Sequence, residues 1–124
     1  MLIRECLKQK DVTLSFEVFP PKPGMPFQPV QEAAAALSQY NPDFMSVTYG
    51  AGGGTSQNTI DIASFIQEEC ATVALAHLSC VSSSREEVAR LIEELKAKGI
   101  QNVLALRGDI PDGMAFPEAG YYKY

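Results

Sequence analysis

Apolar residues in this chain cluster in short runs, and four of the runs end on a polar residue: Glu17, Thr48, His77 and Arg107. The steps between those residues are 31, 29 and 30 positions. A near-constant step of about 30 residues is the length of one strand plus crossover helix, repeated so that each strand runs parallel to the last. The runs at 12–19 (VTLSFEVF), 43–48 (DFMSVT), 72–79 and 102–107 are read as the strands. Parallel strands put their C-terminal ends on one edge, where α/β enzymes carry their chemistry.

The segments between the strands have helical periodicity. A short lead-in helix is expected within residues 1–10, and the first crossover helix over Val30–Tyr40. The turn before it, PPKPGMPFQP, holds five of the eight prolines, which excludes regular structure there. A second helix is expected over Gln57–Cys70, with Ile62, Phe65, Ile66 and Cys70 forming one stripe. The third shows Val88, Leu91, Ile92 and Leu95 on one face. Ser83 and Glu86, or Ser84 and Glu87, have capping-box spacing at its start. Glu86–Arg90 and Glu94–Lys98 are spaced as ion pairs on its other face, and Gly99 suits a left-handed end.

Side chains alternate along a strand. Ser15 and Glu17 oppose Phe16 and Val18, and Ser46 and Thr48 oppose Met45 and Val47. Val73, Leu75 and His77 oppose Ala74 and Ala76. Val103, Ala105 and Arg107 oppose Leu104 and Leu106. The expectation is that Glu17, Thr48, His77 and Arg107 share the face turned away from the helices, with Val73, Leu75, Val103 and Ala105 on that face partly wet.

Composition narrows the field. The chain has 124 residues, enough for one compact domain, with 46% hydrophobic and 20% charged residues. A net charge of −5 leaves no basic footprint for nucleic acid. No apolar run approaches the roughly 20 residues that span a bilayer. The first residues lack the basic and apolar segments of a secretory signal. Three cysteines without a Cys-x-x-Cys pair argue against a disulfide framework or zinc site and for a reducing, cytoplasmic compartment. A closed eight-stranded barrel takes about 200 to 250 residues. Four strand–helix units at most fit here, the last without its helix.

The strand-end residues are the candidates for chemistry. Glu17 lies between Phe16 and Val18, a setting expected to desolvate its carboxyl and suit a general acid; a strand-end glutamate also reaches solvent or pairs with Arg107. His77, the single histidine, is either a hydrogen-bonded structural residue or a catalyst, and nothing near it has metal-ligand spacing. Arg107 offers forked donors, Gly108 permits close backbone approach to a ligand, and Asp109 offers an acceptor; an internal Arg–Asp pair is the alternative. The segment YGAGGGTS is neither a P-loop nor a dinucleotide fingerprint. Cys80 suits packing better than nucleophilic attack.

Four strand-end segments, SFEVFPPK, SVTYGAGG, AHLSC and LALRGDIP, resemble in order and spacing the methylenetetrahydrofolate reductase family. The resemblance implies a (β/α)8 TIM barrel that carries FAD, takes a hydride from NADH or NADPH and passes it to methylenetetrahydrofolate. It implies Glu17 as the general acid that opens the folate's bridging ring. It implies Asp109 as a carboxylate near flavin and pterin, and Thr48, His77, Arg107 and Gly108 with Asp109 as cofactor contacts. No metal is implied. It covers only the first half of the family's barrel, so residues 1–124 are expected to form a single incomplete domain, a parallel half barrel. That piece is expected to be inactive alone and part of a cytoplasmic homo-oligomer in a longer parent. Two other readings stay open: a barrel enzyme acting on phosphorylated small molecules, and a non-catalytic binding or assembly module working through exposed strand edges.

Overall fold

A computed structural model describes residues 1–49, 56–81 and 83–109. Residues 50–55 of the expected glycine-rich loop YGAGGGTS and the tail from residue 110 lie outside the described residues. The elements run α1 (Ile3–Gln9), β1 (Ser15–Val18), α2 (Gln28–Ser38), β2 (Phe44–Val47), α3 (Ser56–Glu68), β3 (Ala74–Ser79), α4 (Arg85–Ala97) and β4 (Asn102–Leu106). The four strands form one parallel sheet in the order β1-β2-β3-β4. Each crossover therefore advances the chain by one strand in one direction. Crossovers of one hand that never reverse lay their helices on the same face.

Register decides which side chains meet those helices. Phe16 pairs with Met45 and Val18 with Val47, and these align with Ala74 and Ala76. Met45, Val47, Ala74, Ala76 and Leu78 are buried against Ala34 of α2, Ile60, Ala63 and Ile66 of α3, and Val88, Leu91 and Leu95 of α4. Burying a side chain such as Ile66 stabilises by about 1.5–3 kcal/mol. The alanines of β3 leave room for α3 to approach closely, which larger residues would prevent.

Local signals set the helix ends. Ser84 caps α4: its Oγ accepts from the Glu87 N–H at 3.2 Å, and the Glu87 carboxylate accepts from the Ser84 N–H at 2.8 Å. This is the second of the two expected capping boxes. Gly99 takes the left-handed conformation at φ +69°. The expected ion pairs shift: Arg90 pairs with Glu94 at 3.1 Å and Lys96 with Glu93 at 2.7 Å. Glu94 is also taken by Gln57 of α3 at 2.7 Å, so cross-helix packing overrides the within-helix pairing with Lys98. Ile92, expected on the apolar face, lies exposed at the stripe's edge.

The strands are shorter than the apolar runs, for identifiable reasons. Leu14 donates its N–H to the Asp43 carboxylate at 2.9 Å while its carbonyl accepts from the Asp43 N–H at 2.8 Å, so a side chain takes one of its backbone groups just before β1 begins. The Thr72 N–H donates to the Ile66 carbonyl at 3.1 Å, which keeps it at the end of α3. Arg107 falls outside β4 because Gly108 turns the chain at φ +84°.

The N-terminal edge of the sheet is closed by polar ties. Asn102 is buried; its Oδ1 accepts from the Ile3 N–H at 2.9 Å, and its Nδ2 donates to the Met1 carbonyl at 3.1 Å and the Ala74 carbonyl at 3.4 Å. Lys10 forms an ion pair with Asp43. Hydrogen bonds from Lys10 and from the Leu14 N–H hold the Asp43 carboxyl below its usual range. Cys6 of α1 is buried beside this pair, and burial pushes its thiol up. All three cysteines are free thiols.

Candidate active site

The face of the sheet away from the helices carries Glu17, Ser46, Leu75 and His77. Glu17 and Ser46 are register partners on β1 and β2, and Ser46 is in turn the partner of Leu75 on β3. His77 lies two residues beyond Leu75, on the same face and one step nearer the C-terminal edge. Parallel strands about 4.8 Å apart bring these side chains within reach of one another.

Glu17 is the hub. Its Oε2 accepts a hydrogen bond from Ser46 Oγ at 2.8 Å and lies 3.6 Å from His77 Nε2. Ser46 is buried, and the His77 side chain is only 12% exposed. The Glu17 side chain is 46% exposed, so the expected desolvation of its carboxyl is not found: the open face leaves it wet. Its partner is not Arg107. A carboxyl fixed at one oxygen by a hydroxyl donor, with its remaining surface open, has a directed position from which to give or take a proton.

Thr48 lies one residue past the end of β2, half-buried and on the parity of Ser46. The register carried one residue further sets it beside His77. Its carbonyl accepts from the buried Thr59 hydroxyl of α3 at 3.0 Å, which ties the strand end to the helix layer.

Strand β4 corrects the expected parity. His77 pairs with Leu104 and Leu78 with Ala105. Leu104 and Leu106 therefore share the face of Glu17 and His77, while Val103 and Ala105 take the opposite one. Counting back from a polar end residue fails here because Arg107 follows the strand and precedes a left-handed glycine. Val103, Ala105, Leu104 and Leu106 are all exposed, and Val73 and Leu75 are half-buried.

Arg107 and Asp109 are exposed at the C-terminal edge. Arg107 Nε donates to the Gly108 carbonyl at 3.2 Å, and the Arg107 carbonyl accepts from the Val81 N–H at 2.8 Å. Gly108 does allow a close approach, but of β3: a Cβ there would lie 2.0 Å from Ser79 Oγ and 3.0 Å from Val81 Cγ1. The structure thus joins Glu17 to His77 directly and sets Thr48, Arg107, Gly108 and Asp109 along the same edge. Ser46 is the partner that residue-by-residue reading underrates; its parity with Glu17 is the available signal. A cavity of about 10 Å³, lined by Thr59, Leu91 and Leu95 among others, lies toward the helices and has room for one water at most. A larger ligand has to approach from the open face.

These features define a parallel α/β protein, wound strand by strand, whose acid, hydroxyl and imidazole sit toward the carboxyl ends of its strands. Comparison with known proteins refines that class. The methylenetetrahydrofolate reductase family model matches residues 2–122, and the chain belongs to this family. It is 39% identical over 111 residues to methylenetetrahydrofolate reductase (NADH) 1 of Arabidopsis thaliana, an alignment covering 90% of this chain and 19% of that protein. It is 36% identical over 121 residues to 5,10-methylenetetrahydrofolate reductase of Salmonella typhimurium, covering 93% and 41%. With the Escherichia coli enzyme of the same name it shares 34% identity over 110 residues, covering 89% and 37%. The chain thus spans less than half the length of these relatives.

Proposed function

We propose that this chain is the N-terminal half of a (β/α)8 reductase barrel. Within the complete polypeptide it takes part in FAD-dependent reduction of 5,10-methylenetetrahydrofolate to 5-methyltetrahydrofolate, with NADH or NADPH as hydride source. The single-direction winding of four parallel strands supports the half barrel, since four further units of the same kind would close it. The grip of Ser46 on Glu17, beside His77 and open to the sheet's free face, is the observation that carries the functional reading.

The residues of the C-terminal edge fit a flavin by their chemistry. Thr48, His77 and Arg107 supply hydrogen-bond donors suited to ring carbonyls and a diphosphate, and Asp109 supplies an acceptor for a ring N–H. Gly108 holds Arg107 and Asp109 at the edge by turning the chain between them. When bound, FAD supplies the hydride relay between nicotinamide and folate. Glu17 gives a proton to the amine nitrogen that leaves the folate's bridging carbon. The electron pair of the broken C–N bond returns to that nitrogen, and the other nitrogen keeps the carbon as an iminium. Ser46 donates to the carboxylate that remains.

Glu17→Gln in the complete polypeptide tests this reading by separating the half-reactions. Anaerobic stopped-flow should show flavin reduction by NAD(P)H retained, and folate reduction lowered by at least about 100-fold. Equal loss of both would remove Glu17 from the proton-donating role. The 124-residue chain alone should turn over neither substrate.

The exposed apolar residues of β4, Val103, Leu104 and Leu106, favour a second reading in which the chain is an assembly module. A complete polypeptide that stays colourless with added FAD and binds another chain through β4 would select it.

A further inference from the structure

We infer that Ser46 is a positioning residue: its hydroxyl pins one oxygen of the Glu17 carboxyl so that the other, Oε1, is the atom that exchanges the proton. The inference rests on the general-acid reading of Glu17 and adds which oxygen acts and what selects it.

Both contacts of the Glu17 carboxyl are made by the same atom. Ser46 Oγ lies 2.8 Å and His77 Nε2 3.6 Å from Oε2. Oε1 has no hydrogen-bond or ion-pair partner among the described residues. The two oxygens are therefore unequal before any ligand arrives. Ser46 is buried on β2, a strand flanked on both sides by neighbours, so its hydroxyl sits on a rigid element. Glutamate has three side-chain torsions, and one fixed hydrogen bond at its end removes most of that freedom. The Ser46 hydroxyl, donating to the carboxylate form, also stabilises the charge left after proton transfer. His77 is the other titratable group facing Glu17, and it approaches the same oxygen. Both neighbours thus direct the carboxyl's free oxygen to the open face.

The step is a plain proton transfer. The Oε1–H bond breaks, its electron pair stays on the carboxylate, and the proton joins the leaving amine nitrogen of the folate. No oxidant or further reactant is needed for it.

The test is Ser46→Ala alongside Ser46→Thr in the complete polypeptide. With alanine, kcat for folate reduction should fall about 10-fold to 100-fold with KM within about twofold, since a misplaced reacting group costs rate more than binding. Threonine, which keeps the hydroxyl, should restore most of the loss. Isotope-edited infrared difference spectra of the Glu17 carboxylate supply a readout independent of turnover: its antisymmetric stretch should move in the alanine variant and return in the threonine variant. An unmoved band, or a loss in kcat that threonine does not relieve, would overturn the inference. If instead Glu17→Gln itself leaves folate reduction intact, the general-acid reading has failed, and that outcome is distinct from a silent Ser46→Ala.

Discussion

Replacing Gly108 with alanine probes the turn that carries Arg107 and Asp109. Two separate penalties arise at this position. The backbone sits at φ +84°, where an L side chain is strained by about 1–2 kcal/mol. The new Cβ would also lie 2.0 Å from Ser79 Oγ, 3.0 Å from Val81 Cγ1 and 3.3 Å from Ser79 Cβ. Ser79 can rotate its hydroxyl away, but its Cβ and the Val81 methyl belong to a chain held to β4 by backbone hydrogen bonds. Overpacking of this kind costs about 1–3 kcal/mol. The sum, about 2–5 kcal/mol, is a large fraction of a typical domain's stability. Urea titration followed by far-UV circular dichroism should show the midpoint lowered with an unchanged slope. A second background separates the penalties. In Ser79→Ala the hydroxyl is gone, so the same glycine substitution should cost only about 1–3 kcal/mol. A Gly108→Ala unfolding free energy within about 0.5 kcal/mol of the parent, or an identical cost in both backgrounds, would refute the close packing of this turn on β3.

Two further outcomes follow from the fold. Ile66→Ala should destabilise by about 2–5 kcal/mol in the same titration, because Ile66 is fully buried between α3 and the sheet. The Lys10–Asp43 tie should make thermal stability fall in acid: Asp43 has a lowered folded-state value, so its contribution is present above the ordinary carboxylate range and is lost as pH drops through the lowered value. Asp43→Asn should remove that part of the decline below the ordinary carboxylate range, read as a flatter melting-temperature profile in acid.

What is legible in the sequence is what depends on neighbours along the chain. The Ser84–Glu87 cap and the left-handed Gly99 follow from residues three or four positions apart. The strand rhythm follows from lengths and apolar runs, and the parallel order follows from the rhythm. What is not legible depends on register between distant segments. The face of β4 is fixed by the pairing of His77 with Leu104, which no count within β4 reveals. The contact between Glu17 and Ser46 joins residues 29 positions apart and needs the β1–β2 register. Burial of Glu17 is misjudged because flanking Phe16 and Val18 point to the opposite face and cover nothing on its own. Glu94 is drawn to Arg90 and across to Gln57, a competition that helical spacing cannot rank.

Asn102 holds the Met1 carbonyl and the Ile3 N–H with one side chain, 101 and 99 residues away. At the usual 5–20 residues per second of synthesis, α1 is made about 5–20 seconds before that amide exists to receive it. Final docking of the helix start onto β4 is thus a late event in biogenesis, and before α1 docks the Cys6 thiol, buried in the folded chain, lies in solvent. Oxidation during that interval would block seating of the helix, so its yield should depend on how reducing the surroundings are while the chain is still being made.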